Sequence, residues 1–309
     1  MGELYAAIDC GTNSVRLLVA GVEAGRLVEV DRRLHITRLG QGVDATGRFH
    51  PEALRRTLVA MRDFATQLDA LGVRQRRVVA TSAARDAANS AEFFAGVLAA
   101  LGTPAEIISG EEEARLSCLG ALRGLSGLDR PELDHPVLDD PVLVMDIGGG
   151  STELVLDRAV SLDVGSVRLR ERFLASDPPT PAQMAAATAY VDGLLDASGI
   201  DLAAVATWIG VGGTATSLSA LAHGLPVYDR DVVHGSVVST AALEALAESL
   251  ISMPIAQVSA LPTMVPGRAD VICGGALICQ RVGRRVGVPL LVSEADILDG
   301  IIWGLAAGM

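Results

Sequence analysis

The chain has 309 residues, 50% hydrophobic and 20% charged, which is enough apolar material for two cores and excludes a disordered chain. A balance of 25 basic against 37 acidic residues gives a formal net charge of −12, which excludes the broad basic surface that nucleic-acid binding needs. The four cysteines form no C-x-x-C pair and no secretion signal precedes the first strand, so we expect a reduced, cytoplasmic protein.

A polar turn between two apolar runs is the first feature along the chain. In AAIDCGTNSVRLLV, Asp9, Gly11 and Ser14 follow one predicted strand and precede another. Glycine lets a ligand approach the backbone closely, and small hydroxyls add hydrogen bonds. The turn therefore suggests a site for a charged group, although an aspartate there can also simply stabilise its own turn.

An alternation of helices and strands follows the first hairpins. Pro51 begins a predicted helix with apolar residues at helical spacing, and Gly72 ends it. The segment RVVATSA then predicts a strand, residues 93–101 predict a helix, and AEIIS predicts a further strand. This order indicates a largely parallel extension of the first sheet.

Three glutamates begin the next predicted helix, in IISGEEEARLSCLGAL. Acidic residues are favoured in the first turn of any helix by the helix dipole alone. With Ser109 as the N-cap, Glu112 takes the position of the capping-box partner. Glu113 lies one residue further on and is therefore available for a different task.

The second half of the chain begins by repeating the first. The segment LDRPELDHPVLDDP, residues 128–141, predicts a linker, and VLVMDIGGGSTELVL follows it. Its Asp146, Gly148 and Ser151 lie in a second polar turn, 137 residues after Asp9, Gly11 and Ser14 of the first polar turn, respectively. The spacing Asp-x-Gly-x-x-Ser thus occurs twice, at a separation typical of a whole domain.

The repeat predicts an α/β fold of two related lobes with mixed sheets and a cleft between them. We expect the lobes at residues 1–127 and 128–293. A C-terminal helix near 294–309, with Ser293 and Asp296 as a capping box, would pack back on the first lobe.

The remaining elements of the second lobe alternate. TELVLDRAVSLDVGSVRL predicts antiparallel strands. Further helices are predicted near 181–198, 215–224, 240–252 and 268–285, and strands near 205–210 and 288–292. The uncharged stretch 203–226 is long enough to span a membrane, but its glycines and threonines predict a strand, a turn and a helix instead.

The two turns can face each other across the predicted cleft and clamp a phosphate group. Their backbone N–H groups would bind phosphate oxygens, helped by the hydroxyls of both turns. Asp9 and Asp146 would hold a hydrated Mg²⁺, or Mn²⁺, between them. The candidate phosphate ligands in the turns are Gly11, Thr12, Asn13, Ser14, Gly148, Gly149, Gly150, Ser151 and Thr152.

These segments resemble the exopolyphosphatase and guanosine pentaphosphate phosphatase (Ppx/GppA) family, within the superfamily of actin, sugar kinases and heat-shock chaperones. The resemblance rests on AAIDCGTNSVRLLV, VVATSAARDAAN, IISGEEEARL, VMDIGGGSTELVL, GVGGTATSL and GRADVICGGALI, in that order between residues 6 and 278. DIGGGSTEL together with SGEEEARL is the most specific part. The resemblance implies two actin-like (ribonuclease H-like) lobes.

The resemblance also implies roles for individual residues. Glu113 would be the catalytic base that activates water, and Glu153 a second carboxylate that holds the water or the metal. Arg85 would bind phosphate. Arg268 is a weaker phosphate candidate that does not come from the resemblance, and an arginine that begins a helix is also an ordinary solvent-facing residue. The turn at 212–214 matches the nucleotide-binding turn of the superfamily, but a close strand-to-helix turn needs the same glycines, and we assign no ATP.

The implied activity is hydrolysis of the terminal phosphate of inorganic polyphosphate by in-line attack of water. Guanosine pentaphosphate is the alternative substrate. We expect short polyphosphate chains, because longer family members carry a C-terminal helical region that extends the groove. A homodimer without nucleic-acid or membrane partners is also expected. Two functions of other kinds stay open: a small-molecule kinase and a nucleotide-binding, actin-like assembly protein.

Overall fold

The computed structural model describes residues 3–126 and 138–308. The chain forms two compact units, which are Met1–Gly120 with Ile297–Met309, and Ala121–Asp296. The predicted linker and the predicted lobe boundary at 127 and 128 lie mostly outside the described residues.

The strands of the described residues are, in chain order, β1 (Leu4–Cys10), β2 (Ser14–Glu23), β3 (Arg26–Ile36), β4 (Gln75–Ala80), β5 (Ala105–Ile107), β6 (Val142–Ile147), β7 (Thr152–Val155), β8 (Ala159–Leu162), β9 (Thr207–Val211), β10 (Val237–Val238) and β11 (Leu290–Val292). The helices are α1 (Val43–Thr46), α2 (Pro51–Ala70), α3 (Ser82–Asp86), α4 (Ser90–Leu101), α5 (Gly110–Ser126), α6 (Ser166–Phe173), α7 (Pro181–Ala197), α8 (Gly212–Ala222), α9 (Arg230–Val233), α10 (Thr240–Ser252), α11 (Ile255–Ser259), α12 (Ile272–Val286) and α13 (Ile297–Ala306).

The first unit is built on a mixed sheet with the strand order β3-β2-β1-β4-β5. β1, β2 and β3 are antiparallel neighbours, whereas β4 and β5 run parallel to β1. Successive side chains of a strand point to opposite faces. Ala6 and Ile8 of β1 therefore join the core under α2 and α4, while Ala7 joins a second core with Ile301 and Ile302 of α13.

The second unit contains a sheet with the order β10-β11-β9-β6-β7-β8. β6, β7 and β8 form an antiparallel meander, and β9 and β11 run parallel to β6. The run β8-β7-β6-β9-β11 thus repeats the order and the directions of the first sheet. Trp208 on β9 is fully buried in a core that includes residues of α8, α10 and α12.

Two local predictions differ from the structure. The predicted capping box at Ser293 and Asp296 is wrong, because α13 begins at Ile297. Ser293 Oγ instead donates to the carbonyl oxygen of Ala295 (2.9 Å) and accepts from its N–H (3.1 Å), which closes a turn ahead of the helix. The strand predicted to include GSVRL is also wrong there, because α6 begins at Ser166 within this segment. A short apolar run is compatible with either a strand or a helix.

Within residues 3–126 and 138–308, no helix combines the length and the apolar character that crossing a bilayer requires. The uncharged stretch 203–226 contains β9 and α8, in agreement with the strand, turn and helix predicted from its glycines.

Candidate active site

The candidate residues of the first unit lie along one edge of its sheet. Asp9 is near the end of β1, Arg85 is in α3 just after β4, and Glu113 is in the first turn of α5 after β5. Because β1, β4 and β5 are parallel, their carboxyl ends share an edge, where ligands bind in sheets of this kind. Arg85 and Glu113 meet there, with Nη1 donating to Oε2 at 3.0 Å.

Glu112 and Glu113 have separate environments, although the carboxylate of Glu112 binds Arg77 and not the backbone N–H of Ser109 that a capping box requires. Ser109 Oγ accepts the N–H of Glu112 at 3.1 Å, and the carboxylate of Glu112 pairs with Arg77. Glu113 is only 8% exposed and is held by Arg85. The guanidinium of Arg85 also donates to the carbonyl oxygen of Ile108 at 2.9 Å, so it fixes the orientation of the Glu113 carboxylate.

Both polar turns are closed by the same hydrogen bond. The N–H of Gly11 donates to the carbonyl oxygen of Ser14, and the N–H of Gly148 donates to that of Ser151, each at 3.0 Å. The repeat found in the sequence is therefore a repeat of backbone conformation as well.

The carbonyl oxygens of the first turn are bound by the segment that follows β3. The N–H groups of Thr37 and Arg38 donate to Asn13 O at 3.1 and 2.9 Å, and that of Gly40 donates to Thr12 O at 2.8 Å. A trans peptide points its N–H away from its C=O. The N–H of Asn13, which donates to no backbone oxygen in the described parts of the chain, therefore points to the opposite side, as in backbone anion sites.

The second turn is held in the same way by α6. The first three N–H groups of this helix, at residues 166–168, donate to the carbonyl oxygens of Gly148 (2.9 Å) and Gly149 (2.8 and 3.0 Å). The N–H groups of Gly149 and Gly150 donate to no backbone oxygen among residues 3–126 and 138–308. Two adjacent donors thus lie on the side of the turn away from α6, which suits a phosphate oxygen.

The hydroxyls of two threonines at the turns form hydrogen bonds within the protein. Thr12 Oγ1 shares a hydrogen bond with Ser82 Oγ of α3 at 2.9 Å. Thr152 is fully buried, and its Oγ1 donates to the carbonyl oxygen of Val164 at 2.6 Å. The backbone N–H groups are therefore stronger candidates for phosphate contact than the hydroxyls of these two threonines.

Equivalent positions of the two turns carry opposite charges. Asp9 faces Arg16 across β1 and β2, and Asp146 faces Glu153 across β6 and β7. Arg16 donates to Asp9 Oδ2 from Nη2 at 2.7 Å and from Nε at 3.1 Å. Glu153 is 1% exposed and accepts a hydrogen bond from Ser161 Oγ at 2.8 Å. One turn thus contains its own cation, and the other contains a second carboxylate.

The carboxylates of the second turn fit a magnesium ion. Mg²⁺ prefers oxygen ligands and is usually held by one or two carboxylates together with substrate phosphates. Asp146 and Glu153, opposite each other on neighbouring strands, provide such a pair. No cluster of three or more His, Cys, Asp or Glu residues that could cage an ion occurs in the part of the chain that the structure describes.

The turn after β9 lies beside Asp146. Gly212 has a φ of +76°, which favours glycine, and a Cβ added to it would lie 2.7 Å from Asp146 Oδ1. Arg268 Nη1 donates to Gly213 O at 3.1 Å and to Ser217 Oγ at 2.7 Å. The guanidinium of Arg268 therefore covers this turn and supports it.

Two groups near the site, the thiol of Cys10 and the hydroxyl of Tyr228, have perturbed pKa values. Burial, and then the charge of Asp9, raise the pKa of the Cys10 thiol well above its usual range, so Cys10 stays protonated and is no nucleophile. Burial and the carboxylate of Glu294 raise the pKa of Tyr228, whose hydroxyl donates to that carboxylate.

Several residues of this site were not predicted from the sequence. Arg16 could have been found, because it lies 137 residues before Glu153 and so occupies the equivalent place in the repeat. Ser82 and Gly40 carry no such signal. Gly40 lies so close to Thr12 that a side chain there would collide with it.

The model of the Ppx/GppA phosphatase family matches residues 18–286. The chain belongs to this family. Among Ppx/GppA relatives, Exopolyphosphatase 2 of Mycobacterium tuberculosis is 46% identical over 322 residues, covering 97% of this chain and 98% of the relative.

Solved Ppx/GppA-type structures share the fold. A crystal structure of an exopolyphosphatase-like protein has a TM-score of 0.90 and 39% identity and covers 99% of both chains. The Aquifex aeolicus member of the Ppx/GppA family has a TM-score of 0.81 and 29% identity, covering 99% of this chain and 98% of the other. The predictions of the family and of an actin-like α/β fold with two mixed sheets are confirmed.

Proposed function

We propose that this chain is an exopolyphosphatase, which removes the terminal phosphate of inorganic polyphosphate by hydrolysis. The observation that carries the proposal is the construction of the two turns, whose carbonyl oxygens are bound from one side while N–H groups remain on the other. Carboxylates lie at both turns. The name of the relative from Mycobacterium tuberculosis, Exopolyphosphatase 2, agrees with this chemistry.

In the first unit, Glu113 is the proposed general base. A carboxylate that accepts a proton from water as the water attacks phosphorus must keep a fixed direction. The ion pair with Arg85 at 3.0 Å and the contact of Arg85 with Ile108 O supply that direction. Arg85 is therefore proposed first as the residue that orients the base, and its guanidinium also adds positive charge where phosphate oxygens bind.

In the second unit, Asp146 and Glu153 would hold the divalent cation. Bound there, Mg²⁺ would neutralise charge on the phosphate oxygens. The N–H groups of Gly149 and Gly150 bind the same kind of oxygen through hydrogen bonds. Asp9 is left out of this metal site, because Arg16 already balances its charge.

Polyphosphate suits turns of this kind because every unit of the polymer presents the same anionic oxygens. Backbone N–H groups recognise such oxygens without reading a base or a sugar. Guanosine pentaphosphate is the second substrate to test. The preference for short chains and the homodimer stay predictions based on the resemblance.

The direct test measures phosphate release from four substrates by one pure sample, with and without Mg²⁺. The substrates are tripolyphosphate, a long polyphosphate, guanosine pentaphosphate and ATP. We expect release from polyphosphate without any acceptor, dependence on the divalent cation, and a higher rate per chain end for the short polymer.

Other results would point to other functions. Release from guanosine pentaphosphate alone would replace the proposed substrate within the same family. Transfer of phosphate from ATP to an added sugar, with no release from polyphosphate, would indicate a kinase. Nucleotide-dependent sedimentation without any phosphate release would indicate an assembly protein.

A further inference from the structure

Gly165, between β8 and α6, packs directly against the backbone of the second turn. A Cβ added to it would lie 2.5 Å from both C and O of Gly149 and 2.6 Å from N of Gly150. These are main-chain atoms, which cannot rotate away as the end of a flexible side chain can. The φ of Gly165 is −142°, which any residue adopts, so space alone requires glycine at this position.

The same contact determines where the turn points its donors. The N-terminal N–H groups of a helix have no partner within the helix. In α6 they bind the carbonyl oxygens of Gly148 and Gly149, so those two peptides are fixed with their C=O groups toward α6. Each fixed peptide then directs the next N–H, of Gly149 or Gly150, to the opposite side.

Behind α6, a second glycine makes a contact of the same kind. A Cβ added to Gly274 of α12 would lie 2.6 Å from the carbonyl oxygen of Ser166, the first residue of α6. The neighbouring Gly275 is equally close to Thr214, with its added Cβ 2.5 Å from Thr214 Oγ1. Helix α12 thus touches the backbone of α6 at Gly274 and the side chain of Thr214 at Gly275.

We propose that Gly165 and Gly274 are positioning residues for the reaction, because they fix the distance of α6 from the second turn and so aim the N–H groups of Gly149 and Gly150. The inference rests on the proposed function, since it concerns the binding of the terminal phosphate. Neither glycine touches the substrate. Gly165 acts through the turn backbone that it contacts, and Gly274 acts through Ser166 of α6.

The expected effect follows from the distances. An alanine Cβ needs about 3.4 Å to a neighbouring heavy atom, and at Gly165 the nearest lie at 2.5 Å, so Gly165→Ala must move the turn away from α6 by roughly 1 Å. A misplacement of that size can lower the rate by about 100-fold. Gly274→Ala acts on the turn only through Ser166, and we expect a smaller loss in kcat/KM of about tenfold.

The experiment compares Gly165→Ala, Gly274→Ala and the control Gly193→Ala in the full chain. Gly193 lies in α7, and an added Cβ there meets nothing within 4 Å, so its variant should stay within about twofold of the parent chain. For each protein, kcat and KM for phosphate release from tripolyphosphate are measured with Mg²⁺. The rise in Tm on adding tripolyphosphate is measured as well.

A positioning role and a merely structural role give different results. Simple destabilisation would lower Tm and the active fraction but leave KM and the stabilisation by tripolyphosphate unchanged. Loss of positioning raises KM and reduces that stabilisation in folded protein. The double variant Gly165→Ala/Gly274→Ala should lose less than the product of the two single effects, because both act on the same turn.

The outcomes separate this inference from the proposed function. A parent chain that releases no phosphate from any polyphosphate contradicts the proposed function. An active parent chain with parental kcat and KM in folded Gly165→Ala overturns the inference. If Gly165→Ala does not fold, Gly274→Ala decides, and parental kinetics in that variant overturn it too.

Discussion

Replacement of Glu113 by glutamine tests the assignment of the general base. Glutamine keeps the size of the side chain and an oxygen that can accept from Arg85, which now donates to Glu113 Oε2 at 3.0 Å. It cannot take a proton from water. The variant therefore removes the proposed chemistry while it retains most of the local packing.

The expected magnitudes are different for catalysis and for stability. Loss of general-base catalysis lowers kcat by about 10²- to 10⁴-fold, or about 2.7–5.4 kcal/mol in activation free energy. The side chains of the pair are 24% and 11% exposed, so the pair is largely buried, and replacing its charged hydrogen bond by a neutral one reduces the unfolding free energy by about 1–3 kcal/mol. In a chain of this size that lowers Tm by about 2–6 °C.

The assay is steady-state phosphate release from tripolyphosphate, with binding measured by the rise in Tm that the substrate produces. Glu112→Gln is the matched control, because Glu112 is adjacent in sequence but pairs with Arg77. We expect activity within about twofold of the parent chain for the control. Parental kcat in Glu113→Gln, or an equal loss in both variants, would refute the assignment.

Three further predictions concern the second unit. Asp146→Asn should raise the Mg²⁺ concentration needed for half-maximal activity by about tenfold or more, as followed by metal titration; an unchanged requirement would remove Asp146 from the metal site. Gly148→Ala places a Cβ 3.1 Å from a backbone oxygen of the turn and should raise KM for tripolyphosphate, and unchanged affinity would count against the turn. Burial acts to raise the pKa of Asp192, but Arg281 and Arg285 outweigh it and lower that pKa. A carboxyl group whose pKa is lowered by folding stabilises the protein above its unfolded pKa of about 3.9, and this stabilisation is lost as the pH falls. Asp192→Asn should therefore reduce the unfolding free energy, measured in urea, by about 1 kcal/mol at pH 7 and by little near pH 2. An equal loss at both pH values would contradict the ion-pair explanation.

Features with a strong local pattern could be predicted from the sequence. The spacing Asp-x-Gly-x-x-Ser occurs twice, and the structure has two turns closed by the same hydrogen bond. Pro51 begins α2 as predicted, because proline suits the first helical position. The spacing also predicted the hydrogen bond from the Glu112 N–H to Ser109, but not the pairing of the Glu112 carboxylate with Arg77.

Features that depend on distant contacts could not be predicted. The strand expected at GSVRL is the start of α6, because its N–H groups bind carbonyl oxygens of a turn far back in the chain. The requirement for glycine at position 165 arises only from atoms of Gly149 and Gly150. The pairing of Arg85 with Glu113 joins residues 28 positions apart, which no local pattern reports.

The contrast between Arg16 and Glu153 at equivalent places has a consequence for how the protein responds to its surroundings. In one half, the counter-charge is built into the polypeptide and is always present. In the other, the proposed function would have Asp146 and Glu153 take that counter-charge from a dissolved cation. Activity of such a site would rise with the supply of the ion along a hyperbolic curve, and the duplicated halves would no longer be interchangeable.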